Sequence, residues 1–212
     1  MAPSTPIPIL LVTANQLRDQ FSAEKPWIEA MGFKAEPGTF CLLPSTEADK
    51  GIAKVLVGRP ATLDLWLLGL LSKTLPPNQY TLASELTAAE ATALTLGWRL
   101  GQYRFMRYKQ DASNSLAELI TPANADTAYI EAVVEATFLA RDLINTPAND
   151  MGPGNLEDAA RMLATTYSAS LSVIKGEALE TQNYPMVYAV GKASESAPRL
   201  IDLRWGKVDA PK

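Results

Sequence analysis

The residues best suited to chemistry lie in the last quarter of the sequence. Val190-Gly191-Lys192 places a lysine directly after a predicted strand and a glycine. An ammonium group in that position can approach an anion or a metal-bound carbonyl. Lysine after a strand is far more often an ordinary surface residue, however, so this motif alone predicts a surface lysine.

Two carboxylates, Asp202 and Asp209, lie in or near the last predicted strand. Two-metal catalysis needs clustered ligands that hold both ions at once, and this pair does not form such a cluster. Because side chains alternate along a strand, Asp202 and Arg204 share a face. The pattern therefore predicts an exposed Asp–Arg pair rather than a metal site.

The sequence contains no histidine and a single cysteine, Cys41. The absence of histidine removes the commonest metal ligand and the commonest general base at neutral pH. A Ser-His-Asp or Cys-His mechanism cannot be built from this chain. Cys41 lies in the apolar run 39–43, without neighbours that would lower its pKa, and is predicted to be a small buried hydrophobic residue. A single cysteine allows no internal disulfide and is compatible with a cytosolic origin.

Charge and hydropathy argue against two classes of partner. The net charge is −4, and the only local concentration of cations is Arg99, Arg104, Arg107 and Lys109, interpreted as solvated side chains around a helix end. Nucleic-acid binding is therefore not expected. The apolar run 9–12 is too short to span a membrane, and the run 63–71 is interrupted by Asp64 and Gly69, so no membrane partner is expected either.

The elements that must position these residues alternate between strands and helices. In the first two thirds, strands are predicted at 7–12, 40–43, 54–57 and 116–120, and helices at 26–31, 62–73, 88–101 and about 123–144. Thr87 and Glu90 form a capping-box pattern for the third of these helices. Pro122 is predicted at the first turn of the last one. Alternation of this kind predicts an α/β fold with a mostly parallel or mixed sheet.

A segment rich in proline, glycine and asparagine, 145–154, separates the long helix from the remaining elements. Its composition predicts an ordered turn, because the prolines fix the backbone and the Asn and Asp side chains cap neighbouring groups. Beyond it, helices are predicted at 156–167 and 177–182, and strands at 171–174, 186–190 and 199–205. About 60 residues make a small core, well below the usual domain size of roughly 100–150. The second domain is therefore expected to be incomplete.

Four stretches together resemble a known family. The sequence FLARDLINTPANDMGP at 138–153 closely resembles the segment that enters the catalytic domain in the M17, or leucyl aminopeptidase, family. YPMVYAVGKAS at 184–194 and PRLIDL at 198–203 resemble the next two strands of that family. GQYRF at 101–105 resembles a segment of the bacterial branch. The resemblance is strong over about residues 95–205 and weak before them.

This resemblance implies a domain layout and an activity. It implies a macro-domain-like N-terminal α/β domain with a mixed sheet and flanking helices at 1–121, a long linker helix at 122–147, and the start of a catalytic α/β domain, truncated, at 148–212. Family members are cytoplasmic and typically hexameric. They use two divalent metal ions, zinc or manganese, to remove N-terminal residues from peptides.

The sequence departs from the family where the metal ligands should begin. The ligand lysine of the family lies in a Val-Gly-Lys-Gly segment, whereas Ala193 follows Lys192 here. No catalytic, cofactor-binding or metal-binding residue is therefore carried over, and all are expected after Lys212. The chain alone is expected to be inactive and to contribute folding, oligomer assembly and access to the site. The alternative is a stand-alone macro-like binding or interaction module without peptidase activity; the missing glycine-rich phosphate loop counts against nucleotide binding.

Overall fold

The computed structural model describes residues 5–46, 51–109, 115–207 and 209. The chain forms two compact units, 1–140 and 141–212. The division into 1–121, 122–147 and 148–212 that the sequence predicts stays a prediction.

The first unit is built on a five-stranded mixed sheet. Its strands are β1 (Ile7–Val12), β2 (Phe40–Pro44), β3 (Ile52–Gly58), β4 (Gln79–Leu82) and β5 (Glu118–Leu119). Its helices are α1 (Ala14–Gln20), α2 (Lys25–Ala30), α3 (Leu71–Thr74) and α4 (Ala88–Gly101), and α5 (Thr127–Asn145) begins in it. The strand order is β2-β3-β1-β4-β5, with β2 antiparallel and the others parallel. The predicted α/β fold with a mixed sheet is confirmed.

Both faces of this sheet are covered, which explains the continuous apolar run in β3. Val55 and Val57 face one core, which also contains Tyr80 and Trp98. Leu56 faces a second core together with Cys41. A strand buried on both faces needs apolar residues at consecutive positions rather than alternate ones. Cys41 is buried, as predicted, and burial raises the pKa of its thiol.

Helix α4 begins with the predicted capping box. The Thr87 hydroxyl accepts from the Glu90 backbone N–H at 3.3 Å, and the Glu90 carboxylate accepts from the Thr87 backbone N–H at 2.9 Å. The two bonds satisfy backbone donors that a helix start otherwise leaves unpaired. The Thr87 backbone N–H and hydroxyl both donate to the Glu90 carboxylate, each at 2.9 Å, and hold the pKa of that carboxyl below its ordinary value.

Two glycines of α4 allow a neighbouring chain segment to approach the helix backbone. A Cβ on Gly97 would lie 1.6 Å from the Leu65 carbonyl oxygen, and a Cβ on Gly101 would lie 2.0 Å from the Gly69 carbonyl oxygen. Only residues without a side chain permit such contacts. The segment 65–70 therefore packs backbone against backbone with α4.

The predicted helix 62–73 is wrong over most of its length. Residues 65–70 form turns, and only α3, at the end of that range, is helical. The Asp64 carboxylate accepts from the Trp66 backbone N–H at 2.6 Å, a local bond that competes with helix formation. The turns direct backbone carbonyls towards the α4 glycines, an arrangement that helical spacing of the leucines does not reveal.

Helix α5 begins later than the sequence predicts. Pro122 lies in a turn rather than at the first helical position, because its carbonyl accepts from the Ala125 N–H at 3.0 Å. The Asp126 carboxylate then accepts from the Tyr129 N–H at 3.0 Å, so Asp126 caps a helix that starts at Thr127.

No helix in the described part of the chain is long and apolar enough to cross a membrane.

The second unit is small and lightly packed. It contains α6 (Pro153–Thr166), β6 (Ser170–Lys175), α7 (Ala178–Thr181), α8 (Pro185–Gly191) and β7 (Arg199–Arg204). Strands β6 and β7 pair antiparallel, with Leu171 opposite Leu203. Among its described residues only Leu179 is a large side chain with no exposed surface; Ala159 and Ala164 are the other buried apolar residues.

The predicted strand 186–190 is wrong, because this stretch forms helix α8. Pro185 occupies the first helical position, where its missing N–H costs nothing and its fixed φ favours the helix. A short apolar run does not distinguish a strand from a helix. Its side chains are also not core residues, since Met186 is 74% and Val190 is 84% exposed.

Candidate functional site

The segment between α5 and α6 is an ordered turn, as its composition predicts. The Thr146 backbone N–H and hydroxyl both donate to the Asp142 carbonyl, at 3.0 and 2.6 Å. The backbone N–H groups of Asp150 and Met151 donate to the Pro147 carbonyl, each at 2.9 Å. Backbone bonds therefore hold the turn, and α6 follows directly.

Lys192 is a surface residue, as predicted, although the element that precedes it is not the predicted strand. Lys192 follows helix α8 rather than a strand, and its backbone N–H donates to the Tyr188 carbonyl at 2.8 Å. Its side chain is exposed. Gly191 packs against Pro198, where a Cβ would lie 2.4 Å from the proline ring, so this glycine has a packing role.

The predicted exposed Asp–Arg pair in the last strand is confirmed. The Arg204 guanidinium donates two hydrogen bonds to the Asp202 carboxylate, at 2.9 and 2.7 Å. This pairing lowers the pKa of the Asp202 carboxyl. Exposed pairs of this kind contribute little to stability.

The described residues do not bring a set of metal ligands together. In the ranges 5–46, 51–109, 115–207 and 209, no three Cys, Asp or Glu side chains lie close enough to hold a metal ion. Two of the four cations near the end of α4 have separate partners. Arg99 forms a two-pronged ion pair with Glu131, at 2.9 and 3.3 Å, and Arg107 lies over the Tyr108 ring.

The second unit contains a charge cluster that was not predicted from the sequence. Glu157 on α6 accepts from Arg199 at the start of β7 at 2.6 Å and from Arg161 at 2.9 Å. The side chains of Arg199 and Glu157 are only 8% and 12% exposed. Arg199 also donates to the Ala197 carbonyl. The cluster ties helix α6 to the two-stranded sheet and is structural, since a carboxylate held between two guanidinium groups has no base function left.

Part of this cluster could have been recognised from sequence. Glu157 and Arg161 have the spacing of one helical turn, which predicts a pair on one helix face. Arg199, in contrast, lies 42 positions away along the chain, and only the fold brings it to Glu157. No local sequence pattern predicts that Arg199 is a partner of Glu157.

The cluster predicts how the second unit responds to acid. Hydrogen bonds from Arg161 and Arg199 hold the pKa of the Glu157 carboxyl below its ordinary value of 4.5. A carboxyl with a lowered folded-state pKa contributes stability above its unfolded-state pKa and loses it as the pH falls through the folded-state value. We therefore expect the thermal midpoint of unit 141–212 to fall on acidification below about pH 4.5.

The control is the Glu157→Gln variant, which cannot titrate at this position. Glu90 and Asp202 titrate in both proteins, so their contributions cancel in the comparison. The variant should be less stable at neutral pH and should show a flatter dependence on pH in the acid range. Calorimetric scans from about pH 6 to about pH 3 measure both slopes; equal slopes would contradict the assignment.

Comparison with protein families gives two matches in sequence order. Residues 7–122 match the N-terminal domain of M17 aminopeptidases. Residues 138–212 match the catalytic domain of the cytosol aminopeptidase family. Similar proteins include probable cytosol aminopeptidases of Roseiflexus castenholzii, 33% identical over 144 residues and 61% of this chain, and of Rhodococcus opacus, 30% identical over 199 residues and 84% of this chain. The matched stretches span 30% and 39% of the lengths of these two relatives.

Solved structures with the same fold support this assignment. The cytosol aminopeptidase from Coxiella burnetii is 34% identical, with a TM-score of 0.84 over 100% of this chain and 46% of its own. The bottromycin maturation enzyme BotP in complex with Mn is 26% identical, with a TM-score of 0.72 over 96% of this chain and 46% of its own. With matches across both units, the chain belongs to the M17, or cytosol aminopeptidase, family.

Proposed function

We propose that this chain supplies the N-terminal domain and the first part of the catalytic domain of a metal-dependent, leucyl-type aminopeptidase. The complete enzyme would remove N-terminal residues from peptides in the cytoplasm, with two divalent ions, zinc or manganese, as cofactors. It would assemble as a homo-oligomer, a hexamer by analogy with the family. The chain itself would contribute folding, assembly and access to the site.

The observation that carries this proposal is the order of the two family matches. The N-terminal match ends at residue 122 and the catalytic match begins at residue 138, so both lie on one chain in the order of the family. The relative from Coxiella burnetii supports the same order, since its fold covers 100% of this chain.

The surface of the second unit supports the same proposal. Large apolar side chains are exposed on α8 and next to β7, including Met186, Val190 and Trp205 at 74%, 84% and 74%. Met186 and Val190 lie one helical turn apart and share a face of α8, and exposed apolar groups that lie together mark sites that another polypeptide segment covers. The remainder of a catalytic domain, such as the relatives carry outside the matched stretch, would be the covering segment.

We propose that the metal ions of the complete enzyme are held outside the described residues of this chain. Two-metal hydrolysis requires both ions to be held by several protein ligands. In the described ranges no group of three potential ligand side chains comes together. We therefore assign no metal ligand and no catalytic role to any of the described residues, and the proposed chemistry belongs to the remainder of the domain.

The second candidate is a stand-alone binding or interaction module without peptidase activity. It is favoured by the first unit, which has a five-stranded sheet with cores on both faces and does not depend on the second unit for either core.

Hydrolysis of leucine amide in the presence of manganese separates the two candidates. The chain alone should release no ammonia and bind no manganese stoichiometrically. Co-expression with the part of the Rhodococcus opacus relative outside its matched 199 residues should produce a complex that hydrolyses the substrate. That part expressed by itself is the matched control.

Each outcome favours one candidate. Hydrolysis by the mixture, but by neither component alone, supports the role as the front part of the peptidase. A stable complex without hydrolysis favours the interaction module. Hydrolysis by the 212-residue chain alone, with tight stoichiometric manganese binding, would overturn the proposal that the chemistry lies in the remainder of the domain.

A further inference from the structure

A groove of about 660 Å³ opens in the first unit, between helix α1, helix α2 and the residues that follow α2. Ligand pockets typically measure about 300–1,000 Å³, so its size suits a small molecule. It does not involve the second unit and has no part in the proposed peptidase chemistry.

The floor of the groove consists of apolar side chains of the second core. Phe21, Ile28 and Phe33 line the groove and are 6%, 4% and 7% exposed. Helix α1 has no buried residue, and its one apolar contact with this core is the half-buried Leu17. Helix α1 therefore contributes little to this core, and the groove lies between its side chains and those of α2.

The rim of the groove carries an excess of positive charge. Of its four charged residues, Lys25 and Glu29 pair with each other at 3.7 Å. Arg18 donates to the neutral Asn15 amide, and Lys34 has no ion-pair partner in the described ranges. Two cations therefore stay uncompensated at this rim, although the whole chain has a net charge of −4.

We propose that this groove binds a free single-chain amphiphile with a carboxylate head, of the medium-chain fatty acid type. The alkyl chain would lie over Phe21, Ile28 and Phe33, and the carboxylate would lie between Arg18 and Lys34. In an apolar pocket, the few charged groups at the edge favour ligands whose own charge is of opposite sign and lies next to them. This charge complementarity favours an anionic head over a neutral or cationic one.

Calorimetric titration of the full chain with decanoate, below its micelle concentration, tests the proposal. We expect saturable binding at one site. Ala14 is exposed, begins α1 and lines the groove, so Ala14→Trp should fill the space and abolish binding without disturbing the core. Replacing both cations, Arg18→Gln and Lys34→Gln, should weaken binding about five-fold, the effect of two surface charges. Lys73→Gln, an exposed lysine at the end of α3, is the matched control and should bind as the parent does.

Three results would overturn this proposal. The first is that decanoate shows no saturable binding. The second is that the Ala14→Trp protein and the double glutamine variant both bind decanoate as tightly as the parent does, and the third is that the parent binds decanoate and the neutral decanamide equally well. Binding to anionic phospholipid vesicles through Arg18 and Lys34, without binding of decanoate, would assign the surface to a membrane instead. The double variant alters only exposed side chains, so the test does not depend on Ala14→Trp folding. No arm measures hydrolysis, and failure here leaves the peptidase proposal unaffected.

Discussion

Replacing Gly97 by alanine should destabilise the unit formed by residues 1–140 by about 3 kcal/mol or more. In an ordinary helix interior the same substitution would stabilise by about 1 kcal/mol, because alanine has the better helix propensity. The sign reverses here because the new methyl carbon would lie 1.6 Å from the Leu65 carbonyl oxygen. A backbone oxygen cannot swing away as a long side chain can, so α4 and the turns at 65–70 must separate.

The matched control is Gly154→Ala in the first turn of α6. The nearest atom to a Cβ there is a nitrogen of the Arg199 guanidinium at 3.5 Å, which is an ordinary contact. This substitution should be neutral or slightly stabilising. Chemical denaturation followed by tryptophan fluorescence reports on the first unit through the fully buried Trp98 and on the second unit, where Gly154 lies, through Trp205. An unchanged midpoint for Gly97→Ala would show that α4 does not pack tightly against the Leu65 backbone in solution.

Replacing Leu179 by alanine should unfold the second unit while the first stays folded. Truncating a fully buried leucine costs about 2–5 kcal/mol. A core of fewer than about 70–80 residues rarely supplies more than about 3–5 kcal/mol. Leu179 is the only large side chain with no exposed surface among the described residues 141–207 and 209, so the loss is comparable with the whole stability of the unit.

Hydrogen exchange resolves the two units separately. The amides of β6 and β7 should lose their protection in Leu179→Ala, whereas those of β1 and β3 should keep it. Val190→Ala removes methyl groups from a side chain that is 84% exposed and should change protection little. Retained protection in β6 and β7 of the Leu179→Ala protein would mean that the Arg199–Glu157 pair and the strand pairing suffice without this leucine.

Elements whose cause lies within a few residues of sequence are mostly predicted correctly. The apolar runs of β1, β2 and β3, the capping box at Thr87 and the turn after α5 all have causes within a few residues. Two missed elements carry such signals as well. Thr13 and Gln16 form a capping box that starts α1, and the strand β4 follows the prolines that end the preceding segment.

Some of the errors have causes that lie far away in the sequence. Residues 65–70 turn instead of continuing a helix because their backbone packs against Gly97 and Gly101 of α4, which are distant in sequence. Arg199 becomes a buried partner of Glu157 only when β7 reaches α6. The α8 segment resembles a strand in sequence because its apolar side chains suggest burial, whereas Met186 and Val190 are exposed.

The prediction that no site residue lies in this chain is of a different kind. It rests on the family resemblance and on the absence of histidine, and it stays a prediction. Among the described residues no group of three potential ligand side chains comes together. Co-expression with the remainder of a relative's chain tests the activity directly. The groove at α1 has no sequence signal of its own, because its basic rim residues are spread over two helices and a loop.

The position of β1 in the sheet has a consequence for synthesis on the ribosome. β1 leaves the ribosome before both strands with which it pairs, β3 on one side and β4 on the other, at Val55–Gly58 and Tyr80–Leu82. Chains grow at about 5–20 residues per second, so its apolar side chains and both backbone edges stay uncovered for several seconds. Until the strands on both sides have emerged, β1 therefore presents the exposed apolar backbone edge that makes incompletely folded chains prone to aggregation.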